Sequence, residues 1–364
     1  GPGWATKDGE IVGIAVAADG FKGYFPIAHE RGSNLDPVMT MKWYQNLMAS
    51  DADKICHNAS YDIGWTRSAG IKVNGKIIDT MIAGAIIDEN RRGYSLNALS
   101  KDYLGEIKSE VKLREKAEEW GLDAKADLWK LPPSFVGEYA EQDAELTLKL
   151  WRRFETEIKT QNLQSIFDME TELLPILIQM REHGIRMNMD KAEQMKKTFV
   201  HEEKKKLKEI KDLTNVDVEL WAATSVAKAF DVMKVPYDRT EKTKAPSFTT
   251  NWLHNCTHPL AKLVREAREM NKFHSTFIDS IFKFEHKGRI HAEINQLRSD
   301  NGGTVSGRLS MSNPNLQQVP ARNKEFGKQI RSLFLPDEGT RWGSFDYSQQ
   351  EPRLVVHYAS SVDS

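Results

Sequence analysis

The strongest constraint on the fold is a change of hydrophobic periodicity near Ile158. Before it, short β-branched runs alternate with helical spacing. Ile11-Val12-Gly13-Ile14-Ala15-Val16 and Gly23-Tyr24-Phe25-Pro26-Ile27 read as two strands, followed by a strand at Ile78 and helices over Leu96 to Leu104 and Tyr139 to Ile158. This alternation predicts an α/β layout with helices packed on a mixed sheet. Beyond Ile158 the pattern becomes helical. Met169 to Arg181 is amphipathic and stops at His183-Gly184, Lys191 to Leu213 is long and highly charged, and Leu260 to Phe284 is helical again, with a polar loop over Asp238 to Ser247 before it. After Gly288 strand and loop signals return, beginning with the alternating Arg289 to Ile294.

A chain of 364 residues, 40% of them hydrophobic, has material for two or three cores, so a single domain is not expected. No long uncharged apolar run or signal-peptide core is present, which argues against a membrane span and predicts a cytosolic protein. Cys56 and Cys256 lack the spacing of a disulfide framework or zinc site. The net charge of -1 hides local clustering, and clustering is what matters for phosphate. The second half is locally basic, with Lys204-Lys205-Lys206, Lys208, Lys211, Arg298, Arg308, Arg322, Lys324, Lys328 and Arg331.

Two patterns carry chemistry. Trp342-Gly343-Ser344-Phe345 reads as a buried strand with Asp346 at its end, and Pro352 fits the first turn of a following helix whose apolar face continues through Leu354-Val355-Val356. A carboxylate between a strand and a helix N-terminus can hold a divalent metal against an anionic substrate, although a surface turn with an Asp or Ser cap has the same spacing. In Tyr139-Ala140-Glu141-Gln142-Asp143 the phenol and carboxylate share one helix face. Such a pair can orient a metal-activated water, and it is equally compatible with an exposed helix face.

Asp346-Tyr347-Ser348-Gln349-x-Glu351-x-Arg353 resembles motif A of the family A (Klenow-like) DNA polymerases, DYSQIELR. Upstream, Thr304 to Ser310 and Pro314 to Pro320 resemble the TxTGRLSS and PNLQNIP blocks, and Arg331 with Phe334 matches IRxxF. The resemblance implies two-metal deoxynucleotidyl transfer, with Asp346 ligating two Mg²⁺ ions (Mn²⁺ as an alternative) and Tyr347 offering its carbonyl. Glu351 would be the steric gate against a 2′-hydroxyl, lining the nucleotide together with Ser348 and Gln349. Arg308 would read the primer terminus in the minor groove, where the acceptors are shared by all base pairs, with Asn315 and Gln317 as neighbours or turn residues. Gln350, Pro352 and Gln318 replace the usual Ile, Leu and Asn, which suggests a divergent, phage-type branch.

The amino-terminal third resembles the DnaQ-like 3′-5′ exonucleases. His57-Asn58-x-x-Tyr61-Asp62 and Tyr139-x-x-x-Asp143 match motifs II and III, Asp79-Thr80 lies between them, and Tyr94-Ser95-Leu96-x-x-Leu99 matches YSLxxLA. By resemblance Asp62 and Asp143 are metal ligands, Tyr139 positions the nucleophile and Asn58 touches DNA. The D-x-E pair of motif I has no counterpart on a hydrophobic strand: Asp8 and Glu10 flank Gly9 in what reads as a hairpin turn. The chain is therefore expected to be cut at both ends, with half the exonuclease ligands and a later palm carboxylate outside it.

The expected division is a multidomain α+β arrangement: an RNase H-like exonuclease domain without its first strand over residues 1–158, the first polymerase helix and thumb over 159–287, and the start of the palm over 288–364. In the thumb, Lys204, Lys205, Lys242 and Lys244 suit phosphate contacts, each being equally compatible with a solvated surface. The implied partners are primer-template DNA, deoxynucleoside triphosphates and a processivity factor or other replisome proteins, with no membrane, in the cytoplasm of a bacterial or phage-infected cell. The alternatives are a catalytically inactive DNA-binding fragment and a stand-alone 3′-5′ exonuclease.

Overall fold

The computed structural model describes residues 3–108, 110–299, 302–320 and 326–360, so Arg322 and Lys324 of the basic cluster lie outside the described residues. A short helix α1 (Gly3–Thr6) buries Trp4 and leads through an exposed turn to the antiparallel hairpin β1 (Gly13–Ala18) and β2 (Phe21–Pro26). Asp8 and Glu10 therefore sit between a helix and a strand, not in the expected hairpin turn, because the anchored Trp4 ring fixes the preceding segment as helix. Helix α2 (Pro37–Ala49) begins at an Asp36 cap and Pro37, the residue whose φ is already helical. Strand β3 (Lys54–Cys56), helix α3 (Ala59–Ser68), strand β4 (Ile77–Asp79) and helix α4 (Thr80–Ile87) follow, with β3 and β4 parallel.

The two strand pairs form separate two-stranded sheets and not the single mixed sheet expected from the periodicity. No described strand lies between them, and a strand joins a sheet only through backbone bonds to a neighbour. They are held together by helix. After α5 (Leu96–Leu104) and α6 (Val111–Glu119), the long α7 (Pro133–Thr160) packs across β1, β2 and β3, burying Leu146, Leu150, Phe154 and Ile158 against Tyr94 and Leu99. These side chains recur every three or four residues, the stripe spacing that the sequence displays.

Helix α8 (Gln164–His183) ends at Gly184, whose φ of 65° and close neighbours leave no room for a side chain: a Cβ there would stand 2.8 Å from the Ile290 carbonyl oxygen. Strand β5 (Ile185–Met187) opens the second half. Helices α9 (Met189–Thr214) and α10 (Ala223–Val232), the short hairpin β6 (Asp238–Arg239) and β7 (Pro246–Ser247), α11 (Thr250–Asn255) and α12 (Pro259–Lys272) surround a cluster built on Phe230, Phe248, Leu253, Leu260 and Val264. A π-helical turn, Phe273–Ile278, links α12 to α13 (Asp279–Phe284), so the single helix expected over this span changes register midway and buries both Phe273 and Ile278.

Strands β8 (Glu285–His286) and β9 (Arg289–Ile290) complete a sheet with β5, while β10 (Glu293–Asn295) pairs instead with β11 (Ser310–Ser312). The expected continuous strand over Arg289 to Ile294 is thus split at His291-Ala292, where the chain changes partner and His291 Nδ1 lies 2.8 Å from the Arg181 carbonyl. Helix α14 (Phe326–Arg331) and β12 (Phe334–Leu335) close this region, giving the strand order β12-β5-β9-β8.

Residues 341–347 form no strand, contrary to expectation. Among the described residues no neighbouring strand accepts them, so Phe345 is left 98% exposed. The helix expected next is present as α15 (Gln350–Ser360), but its Leu354, Val355 and Val356 face solvent, because no described element packs on it.

In the amino-terminal region a single side chain ties several elements together. The Asp79 carboxylate, 3% exposed as a residue, accepts hydrogen bonds from the backbone N–H groups of Asn58 (3.0 Å), Ala59 (2.8 Å) and Met81 (2.8 Å). Asp79→Ala leaves these donors without an acceptor and is expected to reduce the unfolding free energy by about 2 to 4 kcal/mol. Asp79→Asn, which retains an acceptor oxygen, should cost less. Urea denaturation followed by circular dichroism reads both, and an Ala variant within about 0.5 kcal/mol of the unsubstituted chain contradicts this role.

Candidate nucleic-acid and metal-binding sites

Parallel strands β3 and β4 run to the same edge, so the segments that leave their carboxyl ends meet there. Beyond β3 comes His57-Asn58 and the first turn of α3 with Tyr61 and Asp62; β4 ends in Asp79. Asn58 adopts the left-handed conformation (φ 64°) at the start of α3 and gives its N–H to Asp79, and His57 Nδ1 lies 2.9 Å from the Thr80 hydroxyl. Helix α7 brings Tyr139 and Asp143 to the same region. Protein bulk, with the charges of Asp79 and Asp143 added to it, pushes the Asp62 carboxyl up to about 7. Asp62 is nevertheless solvent-accessible, and water at the carboxylate tempers the dehydration part of that rise.

The structure adds a group that the sequence did not single out. Lys108 arrives from the segment after α5 with its side chain only 9% exposed, and its ammonium bonds the Tyr139 hydroxyl and Asp143, each at 3.0 Å. Glu110 stands 3.4 Å away and is itself paired with Arg114 at 2.6 Å. Burial alone would lower the Lys108 pKa, but the bonds to Tyr139 and Asp143 outweigh it and hold it above the ordinary lysine value. Burial raises the Asp143 carboxyl, and the ammonium opposes that rise. No local pattern marks Lys108, which is 31 and 35 residues from its two partners. Only the tertiary fold joins them.

A metal site of three ligands is not assembled here. Among the described residues no group of three or more His, Cys, Asp or Glu side chains could hold an ion. Asp79 already serves backbone donors, and Asp143 faces an ammonium.

In the carboxy-terminal region the hairpin β10–β11 carries Thr304 to Arg308 at its far end, where Gly307 turns with φ 74°. The Thr304 hydroxyl donates to the Arg308 carbonyl at 2.7 Å. Asn315 caps the short 3₁₀ turn Leu316–Gln318 by accepting from the Gln317 N–H, and the Gln317 side chain donates to the Leu309 carbonyl at 2.9 Å, fastening the two sequence blocks to each other. The exposed Arg308 guanidinium pairs with the Glu351 carboxylate on α15. The fold therefore brings together Arg308 and Glu351, which are 43 residues apart. Asp346, Tyr347, Ser348 and Gln349 are exposed on the turn leading into α15. Of the lysines in the basic helical region, Lys206 is bound by Glu209 and Glu266 and Lys211 by Asp217, whereas Lys204, Lys205, Lys242 and Lys244 are exposed.

The fold thus gathers Asp62, Asp79, Tyr139 and Asp143 at one strand edge and, in the carboxy-terminal region, sets Arg308 of the β10–β11 connection against Glu351 of α15, next to the turn that carries Asp346. Residues 5–159 match the 3′-5′ exonuclease family and residues 189–363 match DNA polymerase family A, and the chain belongs to the family A DNA polymerases with an attached 3′-5′ exonuclease domain. It is 36% identical to the DNA-directed DNA polymerase of Pseudomonas phage M6 over 99% of this chain and 56% of that protein. It is 30% identical to DNA polymerase DpoZ of Acinetobacter phage SH-Ab 15497 over 98% of this chain and 60% of the relative. The chain thus spans somewhat more than half the length of these relatives. Its fold is that of the POL domain of Pol1 from M. smegmatis, solved in complex with DNA primer-template and dNTP, with a TM-score of 0.75 at 21% identity, covering 96% of this chain and 56% of that one. No described helix is long and apolar enough to cross a membrane.

The two candidate carboxylates differ in what they hold. Asp346 is exposed, so Asp346→Ala is expected to leave stability within about 0.5 kcal/mol. Asp143→Ala leaves the Lys108 ammonium with only Glu110 and the Tyr139 hydroxyl and should cost about 1 to 3 kcal/mol, less than for a fully buried pair because Asp143 is partly exposed. Parallel denaturation curves check the contrast, and equal midpoints for the two variants contradict it.

Proposed function

We propose that this chain works in template-directed DNA synthesis with proofreading of the 3′ end, on primer-template DNA and deoxynucleoside triphosphates, in the cytoplasm of a bacterial or phage-infected cell. The observation that carries this reading is the succession, in one chain, of an exonuclease match over residues 5–159 and a family A polymerase match over residues 189–363. A nuclease alone has no use for Arg308 beside Glu351.

The division of labour follows the same lines. Residues 1–158 form the exonuclease domain, residues 159–287 the first polymerase helix and thumb, and residues 288–364 the beginning of the palm. Asp346, with the Tyr347 carbonyl, contacts the polymerase metals, which are Mg²⁺ with Mn²⁺ as an alternative. Ser348, Gln349 and Glu351 line the incoming nucleotide, with Glu351 as the steric gate. Arg308 reads the primer terminus, supported by the Gln317 and Asn315 turn. The Arg308–Glu351 pair supports this role, because it keeps a guanidinium at the place where primer end and nucleotide would meet. Asp62 and Asp143 serve the exonuclease metals, Tyr139 positions the attacking water, and Asn58 touches the DNA strand. Lys204, Lys205, Lys242 and Lys244 contact duplex phosphates. Processivity factors or other replisome proteins are further partners.

Primer extension and 3′-end degradation by the full open reading frame that encodes this chain test the catalytic roles. Asp346→Ala should reduce extension by more than about 100-fold, beyond what loss of a supporting residue around a metal costs, while leaving degradation intact; Asp143→Ala should do the converse. Undiminished extension by Asp346→Ala overturns the assignment. For the thumb, binding of this chain to a primer-template is measured by fluorescence anisotropy across a salt series. Replacing Lys204 and Lys205 together by Ala should lower the slope of log affinity against log salt by roughly 2. An unchanged slope removes them from the interface.

A further inference from the structure

The exonuclease role proposed for this chain needs a divalent cation at Asp143, and the structure already sets a cation of the chain's own against that carboxylate. The Lys108 ammonium lies 3.0 Å from the Asp143 carboxylate, 3.0 Å from the Tyr139 hydroxyl, 3.4 Å from Glu110 Oε1 and 4.4 Å from the centre of the Tyr139 ring. Its side chain is 9% exposed. Carboxylates, a phenol oxygen and an aromatic face around one point make a cation-binding shell, and burial rules out a casual surface contact. Arg114 holds Glu110 in place by a two-nitrogen contact to the same carboxylate oxygen, at 3.1 and 2.6 Å, so the shell is braced from outside.

An ammonium in this position has two physical effects. It neutralises the carboxylate that would draw in a metal ion, and it places a positive charge where a second one would have to enter. We propose that Lys108 is a built-in competitor for the divalent cation at Asp143: with Lys108 seated its ammonium occupies the space between Asp143 and Tyr139, and an ion binds at Asp143 only as the ammonium leaves. This proposal rests on Asp143 being a metal ligand.

The test is Mn²⁺ binding, followed by the electron paramagnetic resonance signal of the free ion, to the unsubstituted chain, Lys108→Met and Asp143→Asn at one pH and ionic strength. Lys108→Met should bind Mn²⁺ about ten-fold more tightly than the unsubstituted chain, and Asp143→Asn should lose that site. If Asp143→Asn loses binding but Lys108→Met binds no better than the unsubstituted chain, competition is overturned. If Asp143→Asn binds as the unsubstituted chain does, Asp143 is no ligand and the proposal falls with it. Should Lys108→Met fail to fold, labelling of the unsubstituted chain with an amine-reactive ester decides the question. Read by peptide mass spectrometry, Lys108 should react more slowly than the exposed Lys112 without metal and speed up when Mn²⁺ is added. A Lys108 rate that Mn²⁺ leaves unchanged overturns the proposal.

Discussion

The Asp79 carboxylate, accepting from the backbone of Asn58, Ala59 and Met81, fixes the starts of two helices at the ends of two parallel strands. The geometry of the candidate exonuclease site follows from that. Asn58, a residue type that tolerates the left-handed conformation, is held there by its N–H bond to Asp79, and Asp62 then emerges one turn into α3, close enough to feel both Asp79 and Asp143. A buried carboxylate that accepts several N–H bonds is a structural device as much as an electrostatic one. Its position between the Asn58 and Tyr139 motifs in sequence does not reveal which of these it is. The hydrogen bonds do.

The polymerase-like region is not merely tethered to this unit. Gln296, immediately after β10, donates to the backbone and side chain of Glu170 on α8, and Glu293 receives Arg181 from the same helix at 3.0 Å. Arg181 in turn stacks on the Trp4 ring, and Leu297 packs against both amino-terminal clusters. Strand β10 and the first residues of the connection that carries Arg308 are thus seated against α8 and the amino-terminal core. Buried polar and apolar contacts at the start of this connection give its exposed part a defined point of departure.

Helices were legible wherever apolar residues recur at helical spacing. The stripe of α7, the amphipathic α8 and its glycine stop, and the charged α9 follow from side-chain chemistry within one element. Strand pairing was less legible, because a strand is completed by its neighbour. Trp342 to Phe345 has a buried strand's composition but no described partner, and Arg289 to Ile294 has the alternation of one strand but serves two sheets. In the site, Tyr139 and Asp143 were visible as a pair on one helix face, whereas Lys108 was not. A lone lysine in a polar segment has the same appearance whether it points to solvent or closes on a carboxylate far along the chain. The Arg308–Glu351 pair joins two blocks that resemblance had identified separately.

The proposed function joins a template-copying surface and a 3′-end nuclease unit in one chain. Hydrogen exchange on this chain, with and without a primer-template carrying a recessed 3′ end, tests it most directly. Protection is expected to concentrate in Thr304 to Gln318, in the turn from Asp346 into α15 and along the lysine-bearing stretch of α9. Protection confined to His57 to Asp62 and Tyr139 to Asp143, with none around Arg308 and Asp346, would contradict it.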